Sequence, residues 1–93
     1  MNKYELTVVL DGKLSAAKKK GIKEKTVKLV EAFKGKIGKV EDWGTRDLAY
    51  KIKKSETGEF YFFPVEMDSD KAKALNDKLR LEEDLLRYLL IRV

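Results

Sequence analysis

Two helices laid on one face of a four-stranded antiparallel sheet, in a single α+β domain over residues 1–93, is the fold the sequence predicts. Three observations predict it. Hydrophobic period switches between two and 3.6 in the order β-α-β-β-α-β. Turn or cap residues stand where most of those switches occur. A length of 93 residues leaves room for one core only, and 43% apolar residues can fill it.

Residues 4–10 alternate, with Tyr4, Leu6, Val8 and Leu10 on one face and Glu5, Thr7 and Val9 on the other. That is a half-buried strand, ended by Asp11-Gly12. Residues 15–34 read as a helix with Ser15 as N-cap and an apolar stripe of Ile22, Thr26, Leu29, Val30 and Phe33. Gly21 inside it is expected to mark close packing against the sheet. Gly35 is expected to end it in the left-handed conformation. Residues 36–53 form a long, interrupted strand. Ile37 and Val40 differ in parity, which predicts a bulge between them, and Gly44 allows a kink. After a polar turn over Lys54–Gly58, residues 59–67 form the next strand. Glu66 marks its wet face, so Tyr61, Phe63, Val65 and Met67 point inward and Phe60, Phe62 and Pro64 outward. A second helix over about 70–81, capped by Asp68 or Ser69, carries the stripe Ala72, Leu75 and Leu79. After the polar break Glu82-Glu83-Asp84, residues 85–93 make the last strand.

Right-handed crossovers put both helices on one face of the sheet. The economical solution is a ferredoxin-like βαββαβ sandwich with strand order 4-1-3-2. Pro64 then falls on a central strand, where it cannot donate to a ladder unless it sits beyond a neighbour's end or at a bulge.

Charge is abundant and unevenly placed. Lys plus Arg is 21 against 16 Asp plus Glu, a net +5. Residues 13–54 hold 14 basic and 5 acidic groups, and residues 55–93 hold 6 and 9. A positive field favours polyanionic partners. With no Cys and no His, disulfides, zinc ribbons, Cys nucleophiles and His-dependent acid–base chemistry are excluded. No apolar run is long enough to span a bilayer, and Met1-Asn2-Lys3-Tyr4-Glu5 lacks the apolar core of a signal peptide. A soluble cytoplasmic protein is expected.

The most informative segment is Gly44-Thr45-Arg46-Asp47-Leu48-Ala49-Tyr50-Lys51-Ile52-Lys53. Read physically, it is a bend followed by a strand with one apolar face and one cationic face. The string also resembles the signature of the bacterial small-subunit ribosomal protein six family at every position. Val40-Glu41-Asp42-Trp43, the opening Tyr4-Glu5 strand, Val65-Glu66-Met67 and the stretch from Leu79-Arg80 to Arg87 are similar too, so nearly the whole chain is covered. Two departures stand out: Lys51 occupies the place of a common proline, and the chain stops at Val93 without the charged tail of many members.

The resemblance implies a non-catalytic structural subunit of the bacterial small ribosomal subunit. It would bind 16S rRNA in the platform as a heterodimer with ribosomal protein eighteen, beside other small-subunit proteins. No cofactor, metal, membrane or small-molecule substrate is implied. Candidate RNA contacts are Lys3, Arg46, Lys53, Lys54, Arg80, Arg87 and Arg92. Arg80 and Arg87 match basic positions of the family, and an arginine fork grips phosphate in a bidentate way that lysine cannot. The competing reading of these arginines is an ion pair with Glu82, Glu83 or Asp84. The run Lys18-Lys19-Lys20 with Lys23 reads first as a solvated helix face and second as a phosphate-contacting one. Trp43, Phe60 and Phe62 are candidate partner-binding residues on the open face of the sheet.

Two rivals share the topology. An RNA recognition motif acting off the ribosome would stack bases on those aromatics, but its glycine-aromatic octapeptide is missing from residues 58–65. An acylphosphatase needs a glycine-rich phosphate cradle and an arginine after the first strand. Leu10-Asp11-Gly12-Lys13-Leu14 offers one glycine and no arginine. Glu82-Glu83-Asp84 reads as a solvated turn rather than a cation site.

Overall fold

The computed structural model describes residues 2–52 and 55–93, and the side chains of residues 49–52 lie outside that description. In chain order the elements are β1 (Asn2–Asp11), α1 (Ala16–Ala32), β2 (Lys36–Ile37), β3 (Glu41–Ile52), β4 (Ser55–Met67), α2 (Ser69–Arg80) and β5 (Leu85–Arg92). The sheet runs β5-β1-β4, and both β2 and β3 pair antiparallel with the far side of β4. Counting β2 and β3 as the single interrupted strand of the sequence, the order is the expected 4-1-3-2.

The alternation of β1 and β4 decides where the core sits. Tyr4, Leu6, Val8 and Leu10 are buried with Tyr61, Phe63, Val65 and Met67, and Phe60, Phe62 and Pro64 lie on the other, half-open face. The buried row meets Ile22 and Val30 of α1 and Ala72, Leu75 and Leu79 of α2 in one cluster, with Leu29 and Phe33 packed at its margin. Both helices therefore cover the same face of the sheet. Thr26 lies within the stripe of α1 at no polar cost, because its hydroxyl donates to the Ile22 carbonyl at 3.0 Å.

Pro64 is accommodated by the break between β2 and β3. Lys36 and Ile37 pair with Glu66 and Val65, and pairing resumes only at Glu41 with Phe62. The Pro64 carbonyl accepts from Gly38 N–H at 2.9 Å, so its backbone polar groups face this gap rather than β1. The missing N–H of the proline falls where the neighbouring strand has left the ladder. The irregularity expected between Ile37 and Val40 is thus a full break. A separate bulge adds Trp43 between Asp42 and Gly44. Gly44 adopts φ 81°, and its N–H is held by the Asp42 carboxylate at 2.8 Å.

Other boundaries differ from the sequence reading. β4 begins at Ser55, which pairs with Ile52, so most of the polar turn expected over Lys54–Gly58 is strand. Lys53 and Lys54 lie outside the described residues. Ser15 caps α1 as expected, its hydroxyl accepting Lys18 N–H at 3.2 Å. At the other end the left-handed residue is Lys34, φ 64°, not Gly35. Gly35 N–H bonds the Val30 carbonyl and Lys34 N–H the Glu31 carbonyl, both at 3.0 Å, which is a Schellman closure. Glycine is required one position later for space, since a Cβ on Gly35 would lie 2.8 Å from Met67 Cε and from Val30 Cγ1. Gly21 is exposed, and a Cβ there would meet nothing within 4 Å, so it marks no close packing.

Among the described residues no helix is long and apolar enough to cross a membrane.

Candidate nucleic-acid and protein interface

Register places the open face in rows. Arg87, Val9, Phe60 and Gly44 lie side by side across the sheet. The next row holds Leu89, Thr7, Phe62 and Glu41, and then come Ile91, Glu5 and Pro64. The middle of this face is apolar. Trp43, thrown outward by its bulge, stacks on Phe62 with ring centres 5.3 Å apart and planes 8° from parallel. Phe62 is partly covered as a result, and Trp43 is left 42% exposed. On β5, Leu89 and Ile91 are also exposed.

Cations flank this apolar centre. Arg46 pairs with Gly58 on one side, and Arg87 lies opposite Val9 on the other. Three strand spacings across and two residues along the strands separate them, about 16 Å. Both are exposed, and among the described residues neither makes an ion pair. Lys3 lies at the far end of the same face, opposite Glu66, beside a cavity of about 470 Å³ that also takes in Lys36, Glu5 and Val93. That mixed charge gives no focused anion site.

The remaining arginines are placed differently. Arg80 ends α2 and shares a shallow cavity of about 230 Å³ with Arg87, Leu86 and Tyr88. Its nearest carboxylate is Asp77, 3.9 Å away and exposed, a pair that water screens almost fully. The acidic turn does not hold the arginines. Glu82 is engaged instead by Lys25 of α1 at 2.7 Å, and this partner raises the Lys25 pKa through its hydrogen bond and its charge. Arg92 pairs with Tyr4, which puts it on the helix-side parity, and it donates to Asn2 Oδ1 at 3.0 Å. Among the candidate contacts Arg80 and Arg87 thus lie together, Arg46 stands across the apolar centre from them, and Lys3 and Arg92 lie apart.

The lysine run is partly consumed by the protein itself. Lys19 reaches Glu59 Oε2 at 3.5 Å, and Lys23 Nζ lies 5.9 Å from the centre of the Tyr61 ring. Glu59 also accepts a short hydrogen bond from the Thr45 hydroxyl. Burial raises the Tyr61 pKa, with the charges of Asp42 and Glu59 adding to it. Lys18 and Lys20 remain exposed.

The sequence reading missed two features of this region. One is the exposed pair Leu89 and Ile91, because β5 was read as apolar without assigning its faces. The signal lay in Arg87, which shares their parity. The other is buried Glu59, whose odd number puts it on the inward row of Tyr61.

Comparison with known proteins gives a consistent picture. A sequence model of the family described as ribosomal protein S6 matches residues 3–92. The chain is 36% identical over 85 residues to the small ribosomal subunit protein bS6 of Geobacter sulfurreducens, covering 91% of this chain and 73% of that one. It is 34% identical to the bS6 protein of Alkaliphilus metalliredigens, over 100% of this chain and 98% of the relative. The crystal structure of 30S ribosomal protein S6 from Thermotoga maritima superposes with a TM-score of 0.91 at 27% identity, over 99% of this chain and 87% of that one.

Proposed function

Since this chain belongs to the ribosomal protein S6 family, a structural and non-enzymatic component of the small ribosomal subunit, we propose that it binds 16S rRNA in the platform together with ribosomal protein eighteen. The observation that carries the division of labour is the open face, an apolar aromatic centre between two arginines that make no ion pair among the described residues. Protein interfaces have apolar, aromatic centres depleted of charge. RNA backbone is held by arginine forks. Trp43, Phe60 and Phe62 therefore face the partner protein, and Arg46, Arg87 and Arg80 face phosphates. Lys53 and Lys54 follow Arg46 in sequence and belong to the same basic arm in this proposal, and Lys3 and Arg92 have lesser roles.

Base stacking in the manner of an RNA recognition motif fits less well. Trp43 and Phe62 use one ring face each on one another, so Phe62 has little left to offer a base. The test is a pair of titrations of Trp43→Ala/Phe62→Ala, with the partner protein and with single-stranded RNA. Partner affinity should fall, by more than about 2 kcal/mol for paired aromatic anchors, with RNA affinity nearly unchanged. Loss confined to RNA, at about 1–3 kcal/mol per base, would establish the stacking reading instead.

A further inference from the structure

β5 is the outermost strand of the sheet, and among the described residues nothing pairs with its far side. Val93 N–H bonds the Lys3 carbonyl at 2.9 Å. Strand alternation then turns the N–H and C=O groups of Ile91, Leu89 and Arg87 toward β1, and those of Tyr88, Leu90 and Arg92 outward. Natural edge strands are normally blunted by lysine, proline, inward charge or shortness. Leu85–Arg92 has eight residues, no lysine and no proline, its two charges, Arg87 and Arg92, flank the apolar centre rather than interrupt it, and its single bulge lies at Leu86, near the start. Leu89, 55% exposed, and Ile91, 47% exposed, stand beside those outward groups.

We propose that this edge pairs antiparallel with β5 of a second copy of the chain, about a two-fold axis at Leu90. In that register the strand is self-complementary. Leu90 meets Leu90, and on the open face Leu89 meets Ile91 twice. On the helix side Tyr88 meets Arg92 twice, an aromatic ring against a guanidinium. Tyr88, Leu90 and Arg92 of each copy form hydrogen-bonded pairs, giving about six new ladder bonds. A slip by one residue sets the outward groups of one copy against groups that the other copy turns toward β1, so no ladder forms. A slip by two sets Arg92 against Leu86, in the bulge where the ladder is irregular, in one direction, and in the other sets Arg92 against Leu90 and loses the Tyr88–Arg92 contact. The two sheets would become one, with all helices on the same side.

One strand pair is smaller than a standard interface of about 1,600 Å², and each copy carries +5, so the association is weak. Salt screens that mutual repulsion and should tighten it, the opposite of its effect on RNA binding. Pairing through β5 also brings Arg87 and Arg92 into the contact, so the dimer and phosphate binding compete.

Sedimentation velocity of the full chain between about 10 μM and about 1 mM tests this. A dimer fraction rising with concentration and with salt is the expected result. Leu89→Lys/Ile91→Lys places lysine opposite lysine and should move the midpoint at least about tenfold higher. Leu89→Lys/Ile91→Glu places lysine opposite glutamate and should restore pairing, now weakened by salt. Both positions are exposed, so circular dichroism of the variants should match the parent. In the unmodified chain, amide exchange at Tyr88, Leu90 and Arg92 should slow with concentration. A chain monomeric at every concentration, as when the edge serves only a different protein, overturns the proposal. So does concentration-dependent protection located elsewhere, or equal association of both double variants.

Discussion

Gly21 shows at the scale of one residue what the sequence could and could not say. Its low helix propensity was visible in the sequence, and a packing reason for it was expected. The structure gives none, because its surroundings are open. Gly21→Ala should therefore stabilise the fold by about 1 kcal/mol, read as a rise of about 4–8 °C in thermal midpoint for a chain of this size. A fall would mean that the missing Cβ matters to the native packing after all. Titratable residues give a second prediction. Tyr61 is raised by burial first and by Asp42 and Glu59 next, and Lys25 is raised by its bond to Glu82. A folded pKa above the unfolded one means that the native state holds its proton longer. Stability from both groups is then complete below about pH 10 and is lost as pH climbs through the folded values. Thermal melts should show a steeper alkaline fall than Tyr61→Phe shows, with no difference between the two proteins near neutrality.

Among the elements, those with strict alternation or a clean stripe were legible. The inward row Tyr61, Phe63, Val65 and Met67 followed from Glu66 alone, because period two leaves no freedom once one face is known. The stripe Ala72, Leu75 and Leu79 followed from helical spacing, and all three are buried. The edge opposite Pro64 was harder. A single residue without an N–H signals only that a ladder bond is missing, and it does not say which neighbour yields. Here the neighbour yields by breaking into β2 and β3, a tertiary choice that leaves Pro64 itself in regular strand. The C-terminus of α1 was misread for a related reason. Space around Met67 Cε, which sequence cannot show, claims the glycine, and Lys34 takes the left-handed position. Because Leu75 is fully buried at the junction of α2 with the sheet, Leu75→Ala should cost about 2–5 kcal/mol in denaturant titrations. A loss below about 1 kcal/mol would mean that α2 does not seal the core.

Across the whole molecule, helices and sheet divide two kinds of work. Lysines near the start of α1 are partly spent on Glu59 and on the Tyr61 ring, and Lys25 on Glu82, so only part of the densest positive charge in the sequence, Lys18 and Lys20, stays free in the structure. The arginines of the open face are few but, among the described residues, make no ion pair. Which charges were free was not legible, since pairing depends on partners brought together only by folding, such as Glu59 with Lys19 across 40 residues. Phosphate binding should therefore follow the arginines. Each phosphate contact adds roughly 0.7–0.9 to the slope of log affinity against log salt. Arg46→Ala and Arg87→Ala should each flatten that slope by about one unit for platform rRNA. The two residues are about 16 Å apart and, among the described residues, share no partner, so the double variant should lose about two units, the sum. Arg92→Ala should change the slope less, because its guanidinium faces the other side and holds Asn2. Lys19→Ala should leave it unchanged, its charge being spent on Glu59. Should the lysine variant flatten the slope as much as the arginine variants, the RNA would have to lie along α1, and the open face would be left to protein alone.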